Sequence, residues 1–447
     1  MTEQEKITAS AKTHRRVAEH ILEMAKKQGA SDAEVAISNS TGISIQVRLG
    51  EVETLEYHRD KGIGITVYFG QKKGSSSLSA IEEPALEEAV TAACHIAKYT
   101  SEDDCTGLAD KASLAMTYPD LQLYYPWSLS TEEGITLTQE TEQLGRQYDK
   151  RISNSEGAAL STHENHLVYA NTAGFCGDYS SSFYNLSCTL IANEGSAMQR
   201  DYGYSVARDP LDLYSAKKIA EEAASRTLRR LGAQKLTTRK APVIFSAEVA
   251  TGLISHFLGA IRGSNLYRKS SFLLDQLDKP VFPDFVQIRE EPHLIKGLAS
   301  APFDGEGVRT QARNLVQAGI LKEYILSTYS ARKLGMKTTG NAGSVHNILV
   351  STQPYSLDAL LKKMDTGLLV TELMGQGINL VTGDYSRGAT GFWVEKGELC
   401  YPVEEITIAG NLKEMFQHIV HIGCDVEKRS AIQTGPILIA EMMIAGN

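Results

Sequence analysis

The sequence predicts an α+β fold in which two similar N-terminal units, each a helix, a meander of strands and a closing helix, precede a glycine-rich, mostly β C-terminal domain. Three observations carry this. Apolar residues at helical spacing flank two runs of period-two alternation. SNSTGISI at 38–45 is echoed by SNSEGAAL at 153–160, matching at four of the first five positions and pointing to an internal duplication. From residue 238 on, 21 of 210 residues are Gly, set between short apolar runs, as tightly cornered β structure requires. The implied units are 1–115, 116–237 and 238–447.

The elements follow in order. Val17, Ile21, Met24 and Ala25 mark a helix over about 7–28 that stops at Gly29. AEVAIS, GISIQVRLG, EVETLEY, GIGITVYFG and GSSSLSA read as a meander of five short strands, closed by a helix near 82–98. YPDLQLYYPWSLS is a proline-punctuated connector. The second unit reads as a helix near 131–147, then SNSEGAAL, HLVYANTAG, FYNLSCTLIANEG and AMQRDYGYSVA as strands, then a helix near 212–231. Arg229, Arg230, Lys235, Arg239 and Lys240 fall in what reads as a solvated linker. Beyond it, VIFSAEVATGLISHF is a strand running into a helix, a second helix lies near 357–364, and GFWVEKGELCYPV is a hairpin turning at Glu395, Lys396 and Gly397.

Composition narrows the function. Forty-five basic against 54 acidic residues give a net charge of −9, which disfavours a phosphate-coating nucleic-acid binder. The N-terminal MTEQEKITASAKTHRR lacks an apolar core, and no stretch of ~18 apolar residues occurs, so a soluble, cytoplasmic, membrane-free protein is expected. Six scattered cysteines without CxxC spacing read as reduced thiols.

Candidate chemistry is sparse. His418, His421 and Cys424 in FQHIVHIGCD would share a helical face if a helix ran past Gly423, though Met415 and Ile422 on that face also suit a core-packed helix. His163 and His166 sit at a turn-to-strand junction, where alternation sends them to opposite faces. No GxSxG elbow and no Walker A segment is present. The glycines of MGQGINLVTGDYSRG and GEGVRTQ read as corners between strands.

VIFSAEVATG, GLASAPFDGEGVRTQ, LSTYSARKLGMKTTGNAG and TELMGQGINLVTGDYSRGATGFWVEKGELCYPVEEITIAGNL together resemble the TldD/PmbA family, over essentially the whole chain and most closely its PmbA branch, also called TldE. The resemblance implies a cytoplasmic metallopeptidase built from two related subunits, TldD and TldE. It acts on unfolded or flexible peptides, with ties to peptide-antibiotic maturation, antitoxin turnover and modulation of DNA gyrase inhibition. The catalytic branch carries HExxxH at the start of the strand-helix and a Cys near the C-terminus. Here Ala247, Glu248 and Gly252 occupy the three motif positions, and the C-terminal segment reads DVEKRSAIQTGP with Cys424 just upstream. Positions five apart lie about 140° apart on a regular helix, so HExxxH chelates only where the helix widens or ends, and Gly252 is compatible with such a break.

The expectation is therefore a non-catalytic subunit without its own cofactor, with zinc in a TldD-like partner and a homodimer, joined through the C-terminal domain, when alone. Tyr385, Arg387, Phe392 and Trp393 are the expected contacts for an extended peptide added to a sheet edge; the alternative for each is a packed hairpin corner. The competing functions are a peptidase with a non-standard site at His418, His421 and Cys424, and a protein-binding regulator.

Overall fold

The computed structural model describes residues 3–195 and 197–446. The first helix, α1 (Glu3–Lys27), ends as expected before Gly29, which takes φ 88°. Strands β1 (Asp32–Arg48), β2 (Glu51–Phe69) and β3 (Lys72–Leu78) follow, then α2 (Glu83–Tyr99). The plan recurs with α3 (Thr131–Arg146), started by a Ser130–Glu133 capping box, then β4 (Ile152–Asn171), β5 (Cys176–Glu194), β6 (Ala197–Ala207) and α4 (Ala216–Arg229).

The strands are fewer and longer than expected. AEVAIS and GISIQVRLG are one strand, as are EVETLEY with GIGITVYFG and SNSEGAAL with HLVYANTAG. β1 pairs with β2 along its whole length, from Asp32↔Tyr68 to Arg48↔Glu51, with one bulge at Glu53 where the register shifts between Gln46 and Val47. Gly42, which reads as a turn, is a close-approach glycine: a Cβ there would lie 2.0 Å from the Thr162 carbonyl oxygen.

All six strands form one antiparallel sheet, ordered β3-β2-β1-β4-β5-β6. Ile37 and Val168 pack with Ile21 and Ala93 of the first helix pair, while Ile45 and Leu160 pack beneath α3 and α4. These positions share parity on β1 and on β4, so the four helices cover one face. On the other face Tyr169, Phe175 and Tyr179 meet Leu114, Phe303 and Val308, which docks the C-terminal part against the sheet.

That part begins with β7 (Arg239–Phe245), α5 (Ala247–Ala260) and α6 (Gly263–Tyr267). The strands β8 (Ile288–Glu291), β9 (Arg313–Gln317), β10 (Ile320–Leu321), then helix α7 (Thr328–Lys333), strand β11 (Asn347–Val350) and helix α8 (Leu357–Met364) follow. The chain closes with β12 (Gly367–Met374), β13 (Asp384–Glu395), β14 (Glu398–Asn411), α9 (Leu412–Gln417), β15 (Ile419–Ile422), β16 (Ile432–Gln433) and β17 (Ile437–Ala445). One sheet runs β10-β9-β8-β11-β16. The other runs β14-β13-β12-β7-β17-β15, and a further β14–β17 pairing brings its strands into a ring around Val243, Phe245, Phe257 and Ile439. The β13–β14 hairpin turns at Lys396 and Gly397, both at positive φ, as a two-residue turn of this hand demands.

Candidate functional site

Strand β7 delivers its last apolar residue, Phe245, to the core, and Ser246 N then donates to Val370 O at 3.0 Å, ending the strand and aiming α5 away from the sheet. Glu248 therefore stands in the first turn of α5. The helix runs unbroken to Ala260 without the break that Gly252 would be compatible with, and the space beside Gly252 is open, with nothing within 4 Å of where a Cβ would lie. Ala247 and Gly252 thus point about 140° apart and offer no donor atom.

Glu248 is fully engaged. Its carboxylate accepts from the Tyr202 hydroxyl at 2.6 Å and from Arg226 Nη1 at 2.9 Å. Arg226, only 15% exposed, also pairs with Asp201 at 3.2 Å and Glu222 at 3.5 Å, and lies over the Tyr202 ring. Burial and the hydrogen bond to Glu248 push the Tyr202 hydroxyl well above its ordinary pKa. Burial opposes the Arg226 charge, but Asp201 and Glu248 outweigh it and raise that pKa. One turn on, Arg230 binds Asp201 at 3.4 Å, Glu372 at 2.6 Å and Thr390 at 3.2 Å. From DVEKRSAIQTGP, Arg429 reaches Glu222, Glu427 and the Tyr204 carbonyl.

Asp201, Glu222, Arg226, Arg230 and Glu248 line a cleft of about 410 Å³ between α4 and the head of α5, walled by Leu361, Leu369 and Phe392. Arg229 stands over the Phe392 ring at 5.9 Å and has no carboxylate partner among the described residues. Beside the cleft, β12 pairs with β7 only from Leu368 to Val370, so that after a bulge at Thr371 the stretch Glu372–Met374 keeps β13 on one side and has no strand partner on its other edge among the described residues.

Several expected sites are placed differently. Arg229 and Arg230 are the end and cap of α4 rather than solvated linker, because the carboxylates of β6 and β12 draw Arg230 inward. Tyr385 and Trp393 are 2% and 4% exposed, packed in the core; Trp393 donates to Glu395 and Arg239 stacks on it. Arg387 reaches the Leu373 carbonyl at 3.4 Å. Phe392 alone of the four lines the cleft. His418, His421 and Cys424 share no helical face, since α9 stops at Gln417 and β15 takes over: His418 is its exposed cap, His421 bonds Gln353 at 2.8 Å, and Cys424 is exposed beyond the strand. His163 and His166 lie mid-strand in β4 rather than at a turn, His163 exposed and His166 buried against Ser180. No cluster of three His, Cys, Asp or Glu side chains among the described residues is arranged to hold a metal, and the donors at the head of α5 do not fit zinc: one carboxylate, already bound to a cation.

Family models match three stretches of the chain: PmbA/TldA metallopeptidase domain 1 over 33–97, the central domain over 124–231 and the C-terminal domain over 238–446. The chain belongs to the PmbA/TldD metallopeptidase family. It is 50% identical over 444 residues to Metalloprotease PmbA of Escherichia coli O157:H7, covering 99% of both chains. To a Metalloprotease TldD homolog of Haemophilus influenzae it is 22% identical, over 83% of this chain and 80% of that one. A candidate modulator of DNA gyrase from Bacteroides thetaiotaomicron shares the fold at TM-score 0.91 and 28% identity, with all of both chains covered. TldE from Thermococcus kodakarensis shares it at TM-score 0.81 and 21% identity, over 96% of this chain and all of that one. Within this PmbA/TldD frame, sequence reasoning found Glu248 but missed Tyr202, Arg226, Arg230, Glu372 and Arg429. The one available signal was Glu222, Arg226 and Arg230 at successive spacings of four, a charged stripe on a single helical face.

Proposed function

We propose that this chain is the non-catalytic, peptide-handling subunit of a two-subunit metallopeptidase whose zinc is carried by a TldD-related partner. The observation that carries the reading is Glu248, the single acid left at the motif, bound by Arg226 and Tyr202 between motif positions that bear no donors. A metal-bound water becomes a nucleophile near neutral pH because the ion lowers its pKa from 15.7 to about 7, and a carboxylate neutralised by a guanidinium does not replace that. The Glu372–Met374 edge, beside a cleft with apolar walls and with Arg229 free of any carboxylate among the described residues, suits an extended peptide held by main-chain hydrogen bonds. The substrates are flexible peptides of the kind the family resemblance implies, antibiotic precursors and antitoxins among them, with gyrase modulation as a consequence. The compartment is the cytoplasm, and the chain self-associates when the partner is absent.

The test is a peptide-cleavage assay. The purified chain should leave an unfolded peptide intact and hold no stoichiometric zinc by elemental analysis, while a mixture with a TldD-related subunit should cleave in a chelator-sensitive way. Cleavage by this chain alone at a comparable rate, or undiminished activity of the partner without it, would overturn the assignment.

A further inference from the structure

The cleft between α4 and α5 carries more polar chemistry than its ion pairs consume. Three arginines line it, Arg226, Arg229 and Arg230. Arg226 is held by Asp201, Glu222 and Glu248, and Arg230 by Asp201 and Glu372. No carboxylate among the described residues reaches Arg229, whose guanidinium stands 5.9 Å from the centre of the Phe392 ring. Ser225, Ser246 and Thr371 also line the cleft, and none of their hydroxyls has a hydrogen-bond partner among the described residues. Beside these polar groups lies a buried apolar floor of Leu361, Leu369 and Phe392.

Asp358 is the counterpart of Arg229. It stands in the first turn of α8, lines the same cleft, and has no basic partner among the described residues. The other lining carboxylates, Asp201, Glu222 and Glu248, each meet an arginine. Arg229 and Asp358 do not pair with each other, so the cleft presents one unmatched cation and one unmatched anion around its apolar floor. Two fixed charges of opposite sign on separate helices favour a ligand that carries both, because a ligand with one alone leaves the other wall unmatched. At about 410 Å³ the cleft lies at the small end of ligand sites, which run from about 300 to 1,000 Å³, and so suits a short chain rather than a folded partner.

We infer that this cleft binds a short peptide with both ends free, its carboxylate on Arg229, its ammonium on Asp358 and its apolar side chains on Leu361, Leu369 and Phe392. A guanidinium takes a carboxylate through two parallel hydrogen bonds, and the hydroxyls of Ser225, Ser246 and Thr371 serve the amide group between the ends. Peptides of this kind are what a peptidase releases, so the inference deepens the peptide-handling reading and rests on it for its setting.

Isothermal titration calorimetry of the full chain with the dipeptide Leu-Leu tests it, against the N-acetylated and the C-terminally amidated forms, each of which lacks one charge. Leu-Leu should bind, and each cap should weaken binding on the order of tenfold. Arg229→Gln should abolish the loss caused by amidation and keep the loss caused by acetylation, and Asp358→Asn should do the reverse. Thermal midpoints confirm that each variant is folded. Arg16→Gln, which removes a charge from α1, should leave both losses in place. Absence of binding at millimolar dipeptide, capped forms that bind as well as the free one, or cap losses that persist in both variants would each overturn the inference. Chelator-sensitive cleavage by the mixture is read separately. If cleavage fails while the pattern of cap losses holds, the functional reading falls and the dipeptide site stands; if cleavage succeeds while free and capped peptides bind alike, the dipeptide site falls and the functional reading stands.

Discussion

Arg226 is more tightly constrained than the acid it holds. Arg226→Ala leaves Glu248 without a cation and Asp201 with Arg230 alone, and should cost about 3 kcal/mol in chemical denaturation. Glu248→Gln keeps an acceptor for Tyr202 and should cost about 1–2 kcal/mol, with partner-supported cleavage retained. A general base at 248 would give the opposite ordering, with activity lost and stability kept. A second buried acid gives a pH signature. Burial would raise the pKa of Glu290, but the His346 hydrogen bond and the Arg313 charge hold it at about 2, against 4.5 for an ordinary Glu. Its contribution, about 3 kcal/mol, is therefore complete above pH 4.5 and lost as pH falls toward 2. Denaturation curves from pH 6 to 2 should show that loss, and Glu290→Gln should flatten it. Neither network was legible in the sequence: Arg226 lies 22 residues from Glu248 and Arg313 lies 23 from Glu290.

At the level of elements, the local signals were readable and the long-range ones were not. The capped helix α3, the Gly29 stop and the Lys396–Gly397 turn follow from side chains a few residues away. The continuity of β1 and β4 does not, because Asn39, Ser40 and Gly42 favour turns until a neighbouring strand fixes their backbone. Pairing of another kind decides the segment through His421, where a helix would have set His418, His421 and Cys424 on one face: Ile419–Ile422 joins β17 as a strand. Gly42→Ala tests the close approach of β1 and β4. Its methyl would strike the Thr162 carbonyl rather than fill space, so a loss of about 2–3 kcal/mol should appear in the thermal midpoint, whereas Gly252→Ala, in a regular helix with nothing nearby, should lose nothing.

Across the whole molecule, the N-terminal sheet and the C-terminal part act as one body through Phe303, which is 2% exposed and meets Tyr118, Phe175 and Tyr179 edge-on. Phe303→Ala should cost about 3–5 kcal/mol and, in calorimetry, divide a single unfolding transition into two as the sheet uncouples. The Tyr202–Glu248–Arg226 contact crosses the same divide, and that gives it a historical meaning. Placing His at 247 and 252 would supply two imidazoles to an acid already committed to a guanidinium, and releasing the acid by removing Arg226 would loosen the hold between the two parts. Each step back toward a metal site is harmful unless others precede it. On the proposed non-catalytic reading, the clamp thus works as an evolutionary ratchet that keeps a helper subunit one.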